Sequence, residues 1–418
     1  MKNLKLYLIA VLIILSCSLK AQNLSTSNPE DIGISLERLR VIDKVLQEYI
    51  DKKEVPGAVA LIARKGKVGY LKSFGMKDIE ENQQMTDDAI FRIASMTKAI
   101  TTVGVMILYE QGLFKLDDPI SNYIPEFKNM KAVNGDSVKQ EITFRHLLTH
   151  TSGLSYAFMG PQDTYDLYIQ NNIYGGFGKT QGTIGETVKR LASLPLINQP
   201  GEKLQYGMSA DVLGYLIEII SRKTLSEYFR QKIFEPLDMS DTYFFLPTNK
   251  EDRLAVMYGY DESQLKRISG EAKSGFLNYS DYATYATNPN YFSGGGGLLS
   301  TASDYYNLLS MLMNEGKYKS KQIISRKSIE LMTSNQTGDL YTWGKGEVFG
   351  FGFVISQGPS ETGAIESAGS YRWLGLFNTH FWVDPEEQLI GILLTQINPN
   401  KSDIDRKFKT LVYQSIID

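Results

Sequence analysis

The chain of 418 residues is 42% hydrophobic and 22% charged, which is ordinary usage for a globular protein and excludes disordered, collagen-like and coiled-coil chains. Its 44 basic and 47 acidic residues give a net charge of −3, and no long basic run is present, so the composition argues against a nucleic-acid partner. A chain of this length can bury a substantial core in one large domain or in two or three lobes.

Residues 1–21 are predicted to be a signal peptide. Two lysines precede a short apolar stretch over Tyr7–Leu15, and small and polar residues follow through Ala21. This stretch is too short to cross a bilayer and no later run is long enough, so no membrane span is predicted. We therefore expect export to the periplasm or the medium. The alternative is lipid anchoring at Cys17, the only cysteine, because the residues before it loosely match a bacterial lipoprotein site.

Beyond a polar segment over residues 22–34, one domain over 35–418 is predicted. Apolar residues at helical spacing predict an amphipathic helix over Ser35–Lys52, and Gly57–Arg64 with Lys67–Phe74 predicts a hairpin. Residues 112–291 are expected to be mostly helical or irregular. Strand signals return later in the chain, and a final helix is predicted at about Asp403–Ile417. The later strand signals are Phe351–Ile355, Gly375–Val383 and Gln388–Thr395.

This order of elements predicts an α/β fold with one sheet built from both ends of the chain and flanked by the terminal helices. The sheet subdomain would comprise residues 35–94 and 298–418, and an inserted, mainly helical subdomain would comprise 95–297. A functional site between the two is the natural expectation.

Several common catalytic motifs are excluded or weak. His146 and His150 have the spacing of two metal ligands on a helix, but Leu147 stands where a metalloprotease carries its glutamate, so hydrogen-bonded structural histidines are favoured. The run Gly294–Gly297 has no following Lys-Ser/Thr and is not a phosphate loop. Its glycines are expected to permit close backbone approach. No Gly-x-Ser-x-Gly elbow is present.

The sequence Ser95-Met96-Thr97-Lys98 is the strongest candidate for a catalytic site. It opens an apolar helix predicted to run to about Gln111. A serine and a lysine three apart lie on one helix face, and a serine at the amino end of the helix lies at the positive pole of its dipoles. A lysine in apolar surroundings loses solvation of its ammonium, so its neutral amine can activate the serine. Ser263–Lys266 repeats the spacing in a polar segment, so spacing alone is not decisive.

The surrounding motifs supply the context. Together they resemble the serine hydrolases related to class C β-lactamases and penicillin-binding D,D-peptidases, over roughly residues 30–415. The resemblance implies an α/β fold with an antiparallel sheet and a helical lobe. The motifs are Phe91–Lys98, Leu116–Ile120, Ile124-Pro125, Leu147–Leu154, Pro200–Glu202, Tyr206 and Gly294–Leu298.

The resemblance implies roles for three side chains. Ser95 would be the nucleophile, Lys98 its base, and Tyr206 the group that moves a proton between serine and leaving group. A phenol suits this role where nearby cations make its ionised form less costly. Met208 is expected to contact substrate from the position where many members have an asparagine, and the loss of that amide disfavours a typical β-lactamase.

The strand motif that lines the pocket also departs from the lactamase pattern of Lys or His, any residue, and Gly. The best match here is Trp373-Leu374-Gly375, which resembles the esterase branch of the family. Trp373 and Gly375 would then contact substrate, and the backbone N–H groups of Leu376 and Ser95 would form the oxyanion hole. A buried tryptophan packing the sheet edge is the alternative interpretation, and Trp343 is a competitor for the motif.

These observations predict an exported serine hydrolase that forms a serine acyl-enzyme, most readily from carboxylic esters. One alternative keeps the mechanism in a D,D-peptidase, a D-amino-acid amidase or a weak β-lactamase. Another is a non-catalytic ligand-binding module on this scaffold. The expected partner is a small ester or peptide-like substrate. Neither a metal nor an organic cofactor is implied, and the oligomeric state is not predicted.

Overall fold

The computed structural model describes residues 24–174, 182–262, 264–274, 277–280, 290–340, 344–359 and 365–418. The predicted signal peptide with Cys17, and also Ser263 and Trp343, lie outside these ranges. Within them, no helix is both long and apolar enough to cross a membrane.

The elements follow in chain order. The helices in the described ranges are α1 (Leu36–Asp51), α2 (Thr97–Glu110), α3 (Phe144–Leu148), α4 (Gln162–Gln170), α5 (Ile184–Ala192), α6 (Ser209–Ser221), α7 (Leu225–Phe229), α8 (Ala302–Met313), α9 (Arg326–Met332) and α10 (Ile404–Gln414). The strands are β1 (Gly57–Arg64), β2 (Lys67–Asp78), β3 (Gln83–Gln84), β4 (Phe91–Arg92), β5 (Tyr258–Asp261), β6 (Gln264–Arg267), β7 (Glu271–Ser274), β8 (Leu277–Ser280), β9 (Leu299–Ser300), β10 (Lys317–Tyr318), β11 (Lys321–Gln322), β12 (Glu347–Phe349), β13 (Val354–Ser356), β14 (Tyr371–Gly375), β15 (Thr379–Asp384) and β16 (Leu389–Leu394).

The main sheet of the described ranges has the order β12-β13-β14-β15-β16-β1-β2-β3, and each neighbouring pair is antiparallel. The first strand of the chain, β1, pairs with the last, β16, in the register Val59↔Leu394 and Leu61↔Ile392. The predicted α/β fold, with an antiparallel sheet made from both ends of the chain, is confirmed. Helices α3 to α7 are inserted between β4 and β9.

Helices cover both faces of this sheet. Alternate residues of β1 face opposite ways, as in any strand. Ala60 and Ile62 pack with the terminal helices α1 and α10, through Ile42 and Phe408. Val59, Leu61 and Ala63 instead belong to the larger core, which includes α2, α8 and the helical lobe. Burial on both faces explains why β1 reads as a continuous apolar run rather than an alternating one.

Two parts of the predicted element pattern differ from the structure. The strand predicted over Gly375–Val383 starts too early, because β14 ends at Gly375 and the chain turns before β15 runs over Thr379–Asp384. Asn378 takes the left-handed conformation in this turn with φ of 61°, which asparagine tolerates well. The region expected to be helical or irregular also contains two small hairpins, β5–β6 and β7–β8.

Candidate active site

Ser95 lies in a tight turn between strand and helix. A single 3₁₀ turn over Ala94–Met96 leads directly into α2. The turn is held from two sides: the Ile93 N–H donates to the carbonyl of Leu298 (3.1 Å), and the Tyr305 hydroxyl donates to the carbonyl of Met96 (2.9 Å). Ala94 has a φ of 43°, a left-handed conformation that is costly for a residue with a Cβ. The fold therefore imposes this turn on the chain.

Ser95, Lys98 and Tyr206 form one hydrogen-bonded cluster. The Tyr206 hydroxyl donates to Ser95 Oγ at 2.7 Å, and Lys98 Nζ lies 3.2 Å from the same oxygen. Ser95 is 7% exposed, so the residue is largely buried. The structure thus brings together the three side chains predicted to be catalytic.

Lys98 is a buried lysine whose hydrogen-bond partners are neutral groups. Its Nζ lies 2.6 Å from the carbonyl oxygen of Gly295 and 3.1 Å from the Tyr156 hydroxyl, and 4.7 Å from the ring centre of Tyr206. Burial lowers the pKa of Lys98 to about 7, and the nearby carboxylate of Asp211 opposes this by favouring the ammonium. An amine with this pKa is available in its neutral, basic form near neutral pH.

Tyr206 differs electrostatically from the prediction. Burial raises the pKa of its hydroxyl, the contact with Ser95 lowers it, and the carboxylate of Asp211 raises it again. The expected easing of its ionisation by nearby cations is not seen, because burial outweighs the contacts that lower this pKa. Tyr206 is therefore a neutral phenol that can donate a proton, and the neutral amine of Lys98 can accept one.

Two functional candidates escaped the sequence analysis: Tyr156 and Asp211. Burial raises the pKa of the Asp211 carboxyl, while donation from Ser293 Oγ (2.6 Å) and the Gly295 N–H (3.1 Å) lowers it. A Cβ on Gly295 would overlap Asp211, so the predicted close backbone approach of the glycine run is confirmed. The sequence does hold a signal for Asp211, because it is an acidic residue among the apolar residues in the first half of α6. No pattern distinguishes Tyr156 among 25 tyrosines.

Gly375 brings the end of β14 against the turn that carries Ser95. A Cβ at this position would overlap the backbone carbonyl of Ile93 and the hydroxyl of Thr379. Only a glycine permits that approach. Leu376 follows directly, so its backbone lies beside the Ser95 turn, where the predicted oxyanion hole requires it. Its N–H as a donor stays a prediction.

Trp373 packs behind Tyr206. Its ring centre lies 5.8 Å from that of Tyr206 and 5.5 Å from that of Phe349, and the side chain is 3% exposed. This packing fixes the orientation of the Tyr206 ring, and substrate contact by Trp373 stays a prediction. Met208 is completely buried in the hydrophobic core. The prediction that its side chain contacts substrate is therefore wrong, because it exposes no surface to a ligand.

The two close histidines do not share a helix face. His146 accepts from the N–H of Thr143 (3.2 Å) inside α3, whereas His150 lies beyond the end of that helix with a φ of 55°. Burial and the nearby Lys98 lower the pKa of His150 to about 3, so its ring is neutral. The expected hydrogen bonding holds for His146. His150 Nδ1 has no hydrogen-bond partner among the described residues.

Comparisons with known proteins identify the family. Residues 42–414 match the beta-lactamase family model. Esterase EstB of Burkholderia gladioli is 29% identical over 363 residues, covering 85% of this chain and 89% of its own. ML-236A carboxylate methylbutanoyltransferase of Penicillium citrinum is 28% identical over 414 residues, covering 90% and 94%. The structure of EstCE1, a hydrolase with promiscuous acyltransferase activity, superimposes with a TM-score of 0.82 at 26% identity, covering 91% and 98%. The chain belongs to the beta-lactamase family of serine hydrolases, and resembles the esterases and acyltransferases within it.

Proposed function

We propose that the protein is an exported hydrolase of uncharged carboxylic esters, with Ser95 as its nucleophile. The observation that carries the proposal is the position of the buried, weakly basic Lys98 at 3.2 Å from Ser95 Oγ, with the neutral Tyr206 at 2.7 Å on the same oxygen. A serine needs an adjacent base to attack a carbonyl carbon at neutral pH. The two contacts supply one base and one acid.

Acylation then follows from these contacts. Ser95 Oγ attacks the ester carbonyl carbon as its proton passes to neutral Lys98, and the carbonyl oxygen becomes an oxyanion facing the N–H groups of Ser95 and Leu376. The C–O bond to the alcohol breaks, the departing alkoxide takes the proton of Tyr206, and Lys98 returns a proton to Tyr206. The products are an acyl-serine and a free alcohol, and no proton is gained or lost.

Deacylation reverses the proton path. A water molecule attacks the acyl carbon while Lys98 accepts its proton, directly or through Tyr206. The bond between the acyl carbon and Ser95 Oγ breaks, and Ser95 Oγ takes back the proton that Lys98 had accepted from water. Hydrolysis therefore consumes one ester and one water and releases an acid and an alcohol.

The preference for uncharged substrates rests on the neutral side chains around the serine. Tyr156, Trp373 and a neutral His150 pack around the ring of Tyr206. The hydroxyl of Tyr206 contacts Ser95, and Trp373 stands at the strand position where lactamases have a lysine. A charged hydrogen bond to a substrate carboxylate contributes roughly 1.5–3 kcal/mol, which corresponds to about 10- to 150-fold in affinity. We expect nitrocefin and D-Ala-D-Ala peptides to be disfavoured by about this factor relative to p-nitrophenyl butyrate. Equal kcat/KM for nitrocefin and the ester would contradict the esterase proposal and favour the lactamase alternative.

A fluorophosphonate probe tests the nucleophile. It should label the wild-type protein, and Ser95→Ala should abolish both labelling and ester hydrolysis. Ser263→Ala, in the other Ser-x-x-Lys sequence, is the matched control and should change neither. Labelling that persists in Ser95→Ala would overturn the assignment. The absence of labelling in a folded wild-type protein would instead favour the non-catalytic binding module.

Acyl transfer to an alcohol is a second candidate activity. The names of three similar proteins cover both hydrolysis and acyl transfer, and their sequence identities to this chain are close to one another: 29% for esterase EstB, 28% for the methylbutanoyltransferase and 26% for EstCE1. The same acyl-enzyme serves both reactions, since an alcohol can replace water in the second step. Adding n-butanol during p-nitrophenyl butyrate turnover should yield butyl butyrate. Formation of butyric acid alone, at every butanol concentration, would exclude the transferase activity.

A further inference from the structure

A cavity separate from the serine cluster is lined by Ser226 of α7, by the segment over residues 230–245 and by Lys319. Its volume is about 690 Å³. Cavities of roughly 300–1,000 Å³ are the size that binds small organic ligands. Among the described residues that line it, none belongs to the group formed by Ser95, Lys98, Tyr206, Tyr156 and Asp211.

The buried part of the cavity lining is mainly aromatic. Phe234, Met239 and Phe244 are each at most 6% exposed, and the half-buried rings of Tyr243 and Phe245 complete the lining. Aromatic rings and a methionine sulfur contact another aromatic ring favourably, edge to face or sulfur to ring. The lining therefore favours a flat aromatic ligand.

The rim of the cavity carries two cations and two carboxylates, which form ion pairs. Arg230 is paired with Glu235, and Lys319 Nζ lies 2.5 Å from Asp238 Oδ2. Each cation at the mouth faces a carboxylate, so an ionic ligand meets repulsion from one of the two signs. All four side chains are well exposed, and exposed ion pairs rearrange at little cost in free energy. The rim thus favours an uncharged ligand and can open to admit it.

The backbone beside the cavity is irregular. Residues Arg230–Phe234 form one π-helical turn directly after α7, and both end residues line the cavity. Such turns are rare and occur frequently at functional sites.

The cavity also adjoins the loop that holds Lys98. The ring centres of Phe244 and Phe245 lie 5.3 and 5.7 Å from that of Phe292. Phe292 directly precedes Ser293, whose hydroxyl donates to Asp211. A ligand that moves the two lining rings would therefore press on the segment that surrounds the lysine.

We propose that this cavity is a second binding site, for an uncharged aromatic small molecule. N-phenyl-1-naphthylamine is a suitable probe because it is uncharged and aromatic and fluoresces strongly in apolar surroundings. The test is a fluorescence titration of the folded wild-type protein, repeated after the serine has been blocked with a fluorophosphonate. Ser240→Trp places an indole at the mouth from an exposed position without changing the core. Ser137→Trp, at an exposed serine away from the cavity, is the matched control.

Saturable binding should survive the fluorophosphonate and Ser137→Trp, and Ser240→Trp should weaken it by at least about tenfold. Loss of binding after the fluorophosphonate would assign the probe to the serine site and overturn the proposal. Absence of saturable binding, or a weakening of less than tenfold in Ser240→Trp, would overturn it as well. Titration of Ser95→Ala gives the same result whether or not the protein hydrolyses esters, so this test is independent of the proposed activity.

Discussion

The pH dependence of ester hydrolysis should report the charge on Lys98. Burial lowers its pKa to about 7, and only the neutral amine can accept the proton of Ser95. For a single group with this pKa, about one molecule in eleven is active at pH 6 and about ten in eleven at pH 8. The kcat/KM at pH 6 should therefore be about one-tenth of that at pH 8. The substrate should carry no ionisable group, as in phenyl butyrate.

Asp211→Asn should move this acidic limb to lower pH. The carboxylate of Asp211 favours the ammonium form of Lys98, so its removal lowers the pKa of the lysine further. The asparagine oxygen can still accept from Ser293 and the Gly295 N–H, which preserves the local structure. The ratio of kcat/KM at pH 6 to that at pH 8 should rise above one-tenth.

The matched control is Glu218→Gln, which removes a half-buried acid from the same helix. Glu218 accepts from the N–H of Leu225 and does not contribute to the pKa of Lys98. Its pH profile should coincide with that of the wild type. A wild-type profile that is flat from pH 6 to 8 would refute the assignment of Lys98 as the base. A midpoint that is unchanged or raised in a folded Asp211→Asn variant would refute the electrostatic coupling.

Three further changes test separate parts of the site. Tyr206→Phe should lower kcat by ~10²–10⁴-fold, the range of general acid–base catalysis, and steady-state rates within about threefold of wild type would contradict its role. Gly375→Ala should push β14 away from the Ser95 turn. The variant should lose ~10²–10³-fold in kcat with KM little changed, and an unaltered kcat would argue against the predicted oxyanion hole. For His150, the folded pKa of about 3 lies below the usual 6.5, so stability falls as pH drops from 6.5 to 3. By pH 4 this loss is roughly 3 kcal/mol. His150→Asn is the test, because asparagine tolerates the left-handed backbone at this position. In denaturant titrations the variant should lose about 3 kcal/mol less unfolding free energy than the wild type on going from pH 6.5 to 4. An equal loss in the two proteins would refute the role of His150.

The sequence was informative where chemistry and local pattern coincide. The serine and lysine three apart could be located because the spacing, the preceding strand and the apolar helix all belong to one continuous segment. The first hairpin was recognised for the same reason, since its two strands and its turn are contiguous. Family motifs then supplied Tyr206, which lies 111 residues from Ser95 in the chain.

Features that depend on contacts between distant segments were missed. Tyr156 and Asp211 acquire their importance from their distance to Lys98, which no local pattern encodes. The side chain of Met208 was expected at the substrate because of its place beside Tyr206, but packing turns it into the core. The strand predicted over Gly375–Val383 includes the β14–β15 turn because apolar residues such as Phe377 are typical of strands. The left-handed conformation of Asn378 reverses the chain there.

The way in which the Ser95 turn is secured has a consequence for how the protein becomes active as it folds. Arg92 N–H donates to the side chain of Gln396, Ile93 N–H to Leu298, and Lys98 to Gly295, so partners about 200 and 300 residues away complete the turn. Closing loops of this length is a slow, entropically costly part of folding. The strained conformation of Ala94 forms only together with these distant partners. Catalytic competence should consequently appear only in the last stage of refolding, and recovery of activity would report the joining of the two ends of the chain.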